Sequence, residues 1–171
     1  GQDARDFASA GKTFLDQGRD AEAIIELKNA AQANPSRGDV RYMLGTALRR
    51  TGDLQAAEIE LRKAESLGHD PDLVRPQLAA VLVEAAKAEV LLQEVTVDGL
   101  TQPSAKADVT ARRGDALLGT GRIADADRAY SEALVLDATN EIVQLGRARL
   151  EIMRGDGAKA WEYLEPVLNQ T

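Results

Sequence analysis

The chain has 171 residues, a net charge of −7, no cysteine, and a hydrophobic content of 44% of which few residues are aromatic. The lack of cysteine excludes disulfides and thiolate metal sites, and the acidic balance argues against nonspecific nucleic-acid binding, which needs a basic surface. No apolar run approaches the roughly 18 residues of a membrane-spanning helix, and an apolar set built from alanine and leucine favours helices over strands.

Four stretches share one pattern: "DQGRDAEAIIELKNA" from Asp16, "RTGDLQAAEIELRKA" from Arg50, "GTGRIADADRAYSEA" from Gly119 and "MRGDGAKAWEYLEPV" from Met153. Their glycines, Gly18, Gly52, Gly121 and Gly155, are 34, 69 and 34 residues apart. The period is that of a two-helix unit, and the middle gap hides one degenerate copy. Each glycine fits the left-handed residue that ends a helix. Asp20, Asp53 and Asp156 follow closely enough to cap the next helix or complement its dipole.

The repeats run in order at about 4–37, 38–70, 71–106, 107–140 and 141–171. In the first, Gly11 is the small position of the leading helix and Phe14 the bulky one; Ala23, Leu27 and Ala30 follow on the second helix, and Pro35 closes it. The second places Gly45, Leu48, Ala57, Leu61 and Ala64 in those positions. In the third, Asp70 caps a helix that starts at Pro71, and Pro76 is expected to delay or bend it. Ala86 sits near the missing glycine, and "TVDGLTQPSAKAD" (Thr96 to Asp108) is expected to be the longest non-helical stretch and the softest point. The fourth offers Gly114, Leu117, Ala126, Tyr130 and Ala133, the fifth Ala148, Ala160, Leu164 and Val167. A single hairpin cannot bury its own apolar face, so hairpins must stack.

Catalytic signals fail one by one. "SAGKTF" (Ser9 to Phe14) holds Gly-Lys-Thr, but a phosphate loop needs a glycine where Asp6 stands, and a preceding strand. His69 is the only histidine, in a turn read as solvent-exposed, with no second ligand for a zinc site. Asp70 and Asp72 lack the ligand spacing of a calcium loop and read as helix caps. Glu58 and Arg62 read as an ordinary i,i+4 surface pair. No catalytic, cofactor-binding or metal residue is assigned, and no enzyme activity is expected. Trp161 follows the small position Ala160 and is expected to pack on a following repeat, which leaves an apolar patch at the C-terminal end; a ligand contact is the alternative.

The 34-residue two-helix pattern, with its Gly-Asp break and small residues at the helix crossings, resembles the tetratricopeptide repeat over nearly the whole chain. More narrowly, "AIIELKNAAQANP", the "LGHDP" extension and the proline-bearing third repeat resemble the N-terminal repeats of the tetratricopeptide protein of bacterial PEP-CTERM/exosortase systems. The first resemblance implies an all-α, right-handed solenoid of about five helix-turn-helix repeats with the third degenerate. The second implies a piece of a longer, exported protein in exopolysaccharide production or surface-protein sorting, periplasmic or otherwise outside the cytoplasm, with a cytoplasmic place left open.

In such solenoids the leading helices line a concave groove. By register the groove carries Arg5, Lys12, Tyr42, Thr46, Arg49, Arg50 and, further along, Arg149, so its N-terminal half is basic with one tyrosine. That pattern suits an extended protein or peptide partner steered by local charge; an anionic polysaccharide, or self-association through the C-terminal end, are the alternatives. Ala8 and Tyr42 stand where chaperone-binding relatives carry their first asparagine, which disfavours a chaperone C-terminus.

Overall fold

The computed structural model describes residues 2–169, with side chains from residue 6 onward. Ten helices and no strand are found among the described residues: α1 (Gln2–Asp16), α2 (Asp20–Ala33), α3 (Gly38–Arg50), α4 (Leu54–Ser66), α5 (Pro71–Glu84), α6 (Ala88–Glu94), α7 (Pro103–Gly119), α8 (Ile123–Leu136), α9 (Glu141–Met153) and α10 (Gly157–Leu168). The all-α class and the helix-turn-helix pairing expected from the repeat are therefore present. The chain divides into two compact units, Gly1–Ala85 and Ala86–Thr171.

The turns follow their chemistry. Gly18, Gly52, Gly121 and Gly155 all have positive φ, between 71° and 85°. Asp53 accepts a hydrogen bond from the Ala56 amide and Asp156 from the Lys159 amide, so both cap their helices. Asp20 does not cap: it is the first residue of α2, after Arg19, and its carboxylate is turned to Arg50. Ala86 adopts φ 56°, so the degenerate repeat keeps the same turn with an alanine in the place of glycine.

Two readings of the third repeat need correction. Asp70 caps α5 through the Asp72 amide as expected, but Pro76 does not delay the helix, which runs unbroken from Pro71 to Glu84. The stretch from Pro103 to Asp108 is helical, part of α7, because Pro103 occupies a first-turn position where no N–H is missed. The true loop before it is anchored as well: Val95 and Leu100 are buried, and the Arg113 guanidinium donates to the carbonyls of Leu92 (3.0 Å) and Val95 (2.9 Å).

In the first unit α1 pairs with α2 and α3 with α4; α2 packs on α3, α4 on α5, and the leading helices α1, α3 and α5 lie side by side. The crossings explain the small residues. A Cβ added to Gly11 would lie 2.6 Å from Leu27 Cγ, and one at Gly45 2.7 Å from Leu61 Cγ. Ala57 and Ala64 are fully buried for the same reason. Leu27 and Leu61 are themselves fully buried, each contributing about 2 kcal/mol of transfer free energy.

The second unit repeats the scheme with α7–α8 and α9–α10, and α6 packs on α7. Here the anchor is Tyr130, fully buried, in the place of Leu27 and Leu61. Its ring lies between two glycines: a Cβ on Gly114 would meet Tyr130 Cε1 at 2.6 Å, and one on Gly146 would meet Tyr130 Cζ at 2.4 Å. The larger ring is accommodated by a glycine in the following leading helix.

Candidate functional site

The seven residues singled out from the sequence fall into separate environments. Lys12, Tyr42, Thr46 and Arg50 come together. With Leu15, Asp16, Gly18 and Met43 they line an open cavity of about 550 Å³ between α1 and α3. A smaller cavity of about 320 Å³ adjoins it on the same face, lined by Ala8, Ser9, Lys12, Arg37, Asp39 and Met43. Lys12 and Met43 line both, so the two hollows form one trough.

Each of these side chains has a definite state. Thr46 is buried and donates its hydroxyl to the Tyr42 carbonyl at 3.0 Å. The Tyr42 ring packs against His69, centroids 5.2 Å apart. His69 is thus half-buried, not the exposed turn residue that the sequence suggested; Gly38 makes room, since a Cβ there would sit 3.1 Å from His69 Cβ. The "LGHDP" extension was the available signal that this histidine had a packing role.

The cations of the trough are matched. Lys12 pairs with Asp16 at 2.6 Å, both exposed. Arg50 reaches across to the Leu15 carbonyl and the Asp20 carboxylate, each at 3.3 Å. Arg37, which the sequence reading passed over, holds Asp39 through two hydrogen bonds of 3.1 and 2.5 Å. That guanidinium holds the Asp39 carboxyl below the usual carboxylate range.

Arg49 stands apart from the trough. It grips Glu84 on α5 through Nε and Nη2 (2.6 Å) and donates from Nη1 to Gln77 at 3.1 Å. Its placement makes it a clamp between α3 and α5. The Arg5 side chain lies outside the described residues.

Arg149 belongs to the second unit, where it lies 3.8 Å from Asp115 and is largely exposed. Asp115 is buried, accepts the Tyr130 hydroxyl at 2.8 Å and pairs with Arg112 at 3.2 Å. Burial pushes its carboxyl above the ordinary range, partly offset by those partners. The same burial, with the charge of Asp115, raises the Tyr130 phenol. Asp108 is raised by burial too, and accepts from Asn140 Nδ2 at 2.7 Å. In this unit Trp161 and Leu168 on α10 are 55% and 54% exposed, and Ile152 and Met153 on α9 are exposed as well.

Comparison with known proteins fixes the family. Residues 21–155 match the family described as tetratricopeptide repeat-like domain. The chain belongs to that family. Tetratricopeptide repeat-like chains are noncatalytic scaffolds, and this one carries their helix pairing. It is 27% identical over 172 aligned residues to cellulose synthase 1 operon protein C of Komagataeibacter xylinus, a match covering 92% of this chain and 13% of that protein. The tetratricopeptide repeat-like chain thus spans a small part of that relative's length. Among solved structures it resembles MamA from Desulfovibrio magneticus RS-1 (TM-score 0.75, 22% identity, 99% of this chain and 95% of that one). It also resembles PilF of Pseudomonas aeruginosa (TM-score 0.73, 21% identity, 96% and 74%). At these identities the likeness concerns the fold. Among the described residues no helix is long and apolar enough to cross a membrane.

Proposed function

We propose that the trough between α1 and α3 is the partner site of a protein-interaction scaffold that acts outside the cytoplasm, in exopolysaccharide assembly or the sorting of PEP-CTERM surface proteins. The observation that carries the site is the convergence of Lys12, Tyr42, Thr46 and Arg50 on one open cavity. The setting is supported by the likeness to a cellulose synthase operon protein and by the resemblance of the "LGHDP" repeat and its neighbours to exosortase-system proteins. On the same reading 1–171 is one array of five hairpins within a longer repeat protein.

The matched charges favour a peptide over an anionic polysaccharide. Lys12, Arg37 and Arg50 all rest on carboxylates of the chain itself, so the trough presents little unbalanced positive charge to a polymer. Self-association is the remaining reading for the exposed Trp161 end, and sedimentation at rising concentration decides it: a lone monomer throughout removes it.

Panning a displayed random-peptide library against the chain tests the site. Enriched peptides should lose about ten-fold in affinity, ~1.4 kcal/mol, on Tyr42→Ala or Lys12→Glu; peptides indifferent to both would overturn it. Binding of a polyanionic polysaccharide that falls steeply with salt would instead support the polymer. Fractionation of the native protein tests the location, and recovery with cytoplasmic markers contradicts it.

A further inference from the structure

A separate hollow lies between α2, α3 and α4 and shares no residue with the trough. Its volume is about 250 Å³. Ala31, Leu44 and Leu48, all buried, line it together with Ala56, so much of its surface is carbon. Lys28 and Gln32 stand exposed at its rim, four residues apart on α2 and so on one face of that helix. Arg41 and Glu60 complete the wall as an ion pair of 2.8 Å, with side chains only 15% and 12% exposed.

The charges here do not balance. Glu60 accepts from Arg41 and, at 2.9 Å, from Lys63 as well. Lys28 has no carboxylate partner among the described residues. Three cations thus answer to one carboxylate, in a chain whose net charge is −7. The trough differs, since Lys12, Arg37 and Arg50 each have a carboxylate of their own.

The second unit fills the equivalent place. Gly18 and Gly121, like Gly52 and Gly155, are 103 residues apart. In that register Lys28, Leu44 and Glu60 correspond to Ser131, Arg147 and Tyr163. The Arg147 guanidinium donates to the Ser131 hydroxyl at 2.7 Å and to the Tyr163 hydroxyl at 3.3 Å, so the chain's own side chain bridges α8 and α10. In the first unit the corresponding side chain is a leucine, which cannot make those bonds, and the space is open. The rim partner also changes, from a hydroxyl that can accept to an ammonium that only donates. An occupant must therefore be an acceptor, and the surplus of cations favours one that is ionised. The carbon surface favours a hydrocarbon body. The volume lies under the roughly 300 Å³ at which drug-sized sites begin, which suits a ligand of side-chain size.

We infer that this hollow binds a short aliphatic carboxylate, free or carried by a partner as an acidic side chain. Its carboxylate rests on Lys28 and Gln32, and its hydrocarbon lies on Leu44 and Leu48. The site is independent of the trough and stands whether or not the trough takes a peptide.

The test titrates 4-methylpentanoate, 4-methylpentan-1-ol and N-acetylglutamate N-methylamide into the whole chain, followed by NMR at the methyl groups of Ala31, Leu44, Leu48 and Ala56. The acid should shift those signals and bind at least about five-fold more tightly than the alcohol. Lys28→Glu should weaken the acid about ten-fold and leave the alcohol within about two-fold. Ala56→Leu, which narrows the hollow from a half-buried position, should weaken both. Tighter binding of the glutamate derivative than of the pentanoate assigns the ligand to a partner's side chain; the reverse assigns it to a free acid. Equal binding of acid and alcohol, or acid binding that ignores Lys28→Glu, overturns the inference. So does the absence of any shift at the four residues with every probe at about 20 mM, some twenty times a millimolar Kd. Tyr42 and Met43 report on the trough separately, so the failure of one site is told from the failure of the other.

Discussion

The two units solve one packing problem with different chemistry. In the first, the second-helix anchor is a leucine, Leu27 or Leu61, closed over by Gly11 or Gly45. In the second it is Tyr130, closed over by both Gly114 and Gly146, and its hydroxyl reaches a buried Asp115 on the groove-side register of α7. The equivalent register positions are Lys12 on α1, Thr46 on α3 and Arg149 on α9. The difference teaches that a tyrosine anchor goes with a different leading helix: Asp115 is buried against the Tyr130 hydroxyl and Arg112, while α1 and α3 line open hollows.

The largest way to break the comparison is at the anchors. Tyr130→Ala is expected to cost about 4 kcal/mol and Leu61→Ala about 3, read by denaturant unfolding, with hydrogen exchange assigning each loss to its own unit. Gly146→Ala should cost about 2 kcal/mol by overpacking against the ring. In a Tyr130→Leu background most of that cost should vanish, since the atoms it strikes are gone; an unchanged cost would refute the ring–glycine pairing. Ala86→Gly should stabilise by about 1 kcal/mol, because it relieves a left-handed alanine. Arg49→Ala should cost ~1 kcal/mol, and Lys12→Ala, whose pair is exposed, less than about 0.5.

The units should also respond oppositely to pH. Asp115 has a folded-state pKa raised by burial above the ordinary 3.8. Its contribution to stability is present in full below that value and is lost as pH rises through the raised one. Asp39 is lowered by the Arg37 hydrogen bonds. Its contribution is present above 3.8 and is lost as pH falls through the lowered value. Side-chain carboxyl NMR checks both directions, and Asp115→Asn should remove the Asp115 share of the acid-side gain while leaving that of Asp108.

Most of the fold was legible because spacing carries it. Glycines 34 residues apart, Asp53 and Asp156 beside them, and alanines at the crossings are local or periodic signals, and each has a matching turn, cap or buried contact. Pro103 misled because a proline in a first helical turn misses no N–H and starts a helix, whereas α5 runs through Pro76, which lies inside it. The site was legible in part. Register brought Lys12, Tyr42, Thr46 and Arg50 to one face, but register is blind to partners across helices. It could not show that Arg49 is taken by Glu84, that Arg50 is tied to Asp20, or that His69 supports the Tyr42 ring. Arg37 was missed because it precedes α3 as its N-cap residue and lies outside the helical pattern.

The central claim is that partner recognition lies on the α1–α3 face. The direct measurement is NMR mapping of a library-selected peptide onto the whole chain. The prediction is that shifts concentrate at Ala8, Leu15, Tyr42 and Met43 while Asp115, Arg149 and Trp161 stay unmoved. A saturable peptide whose shifts map to the second unit, or to the Trp161 end, would contradict the account.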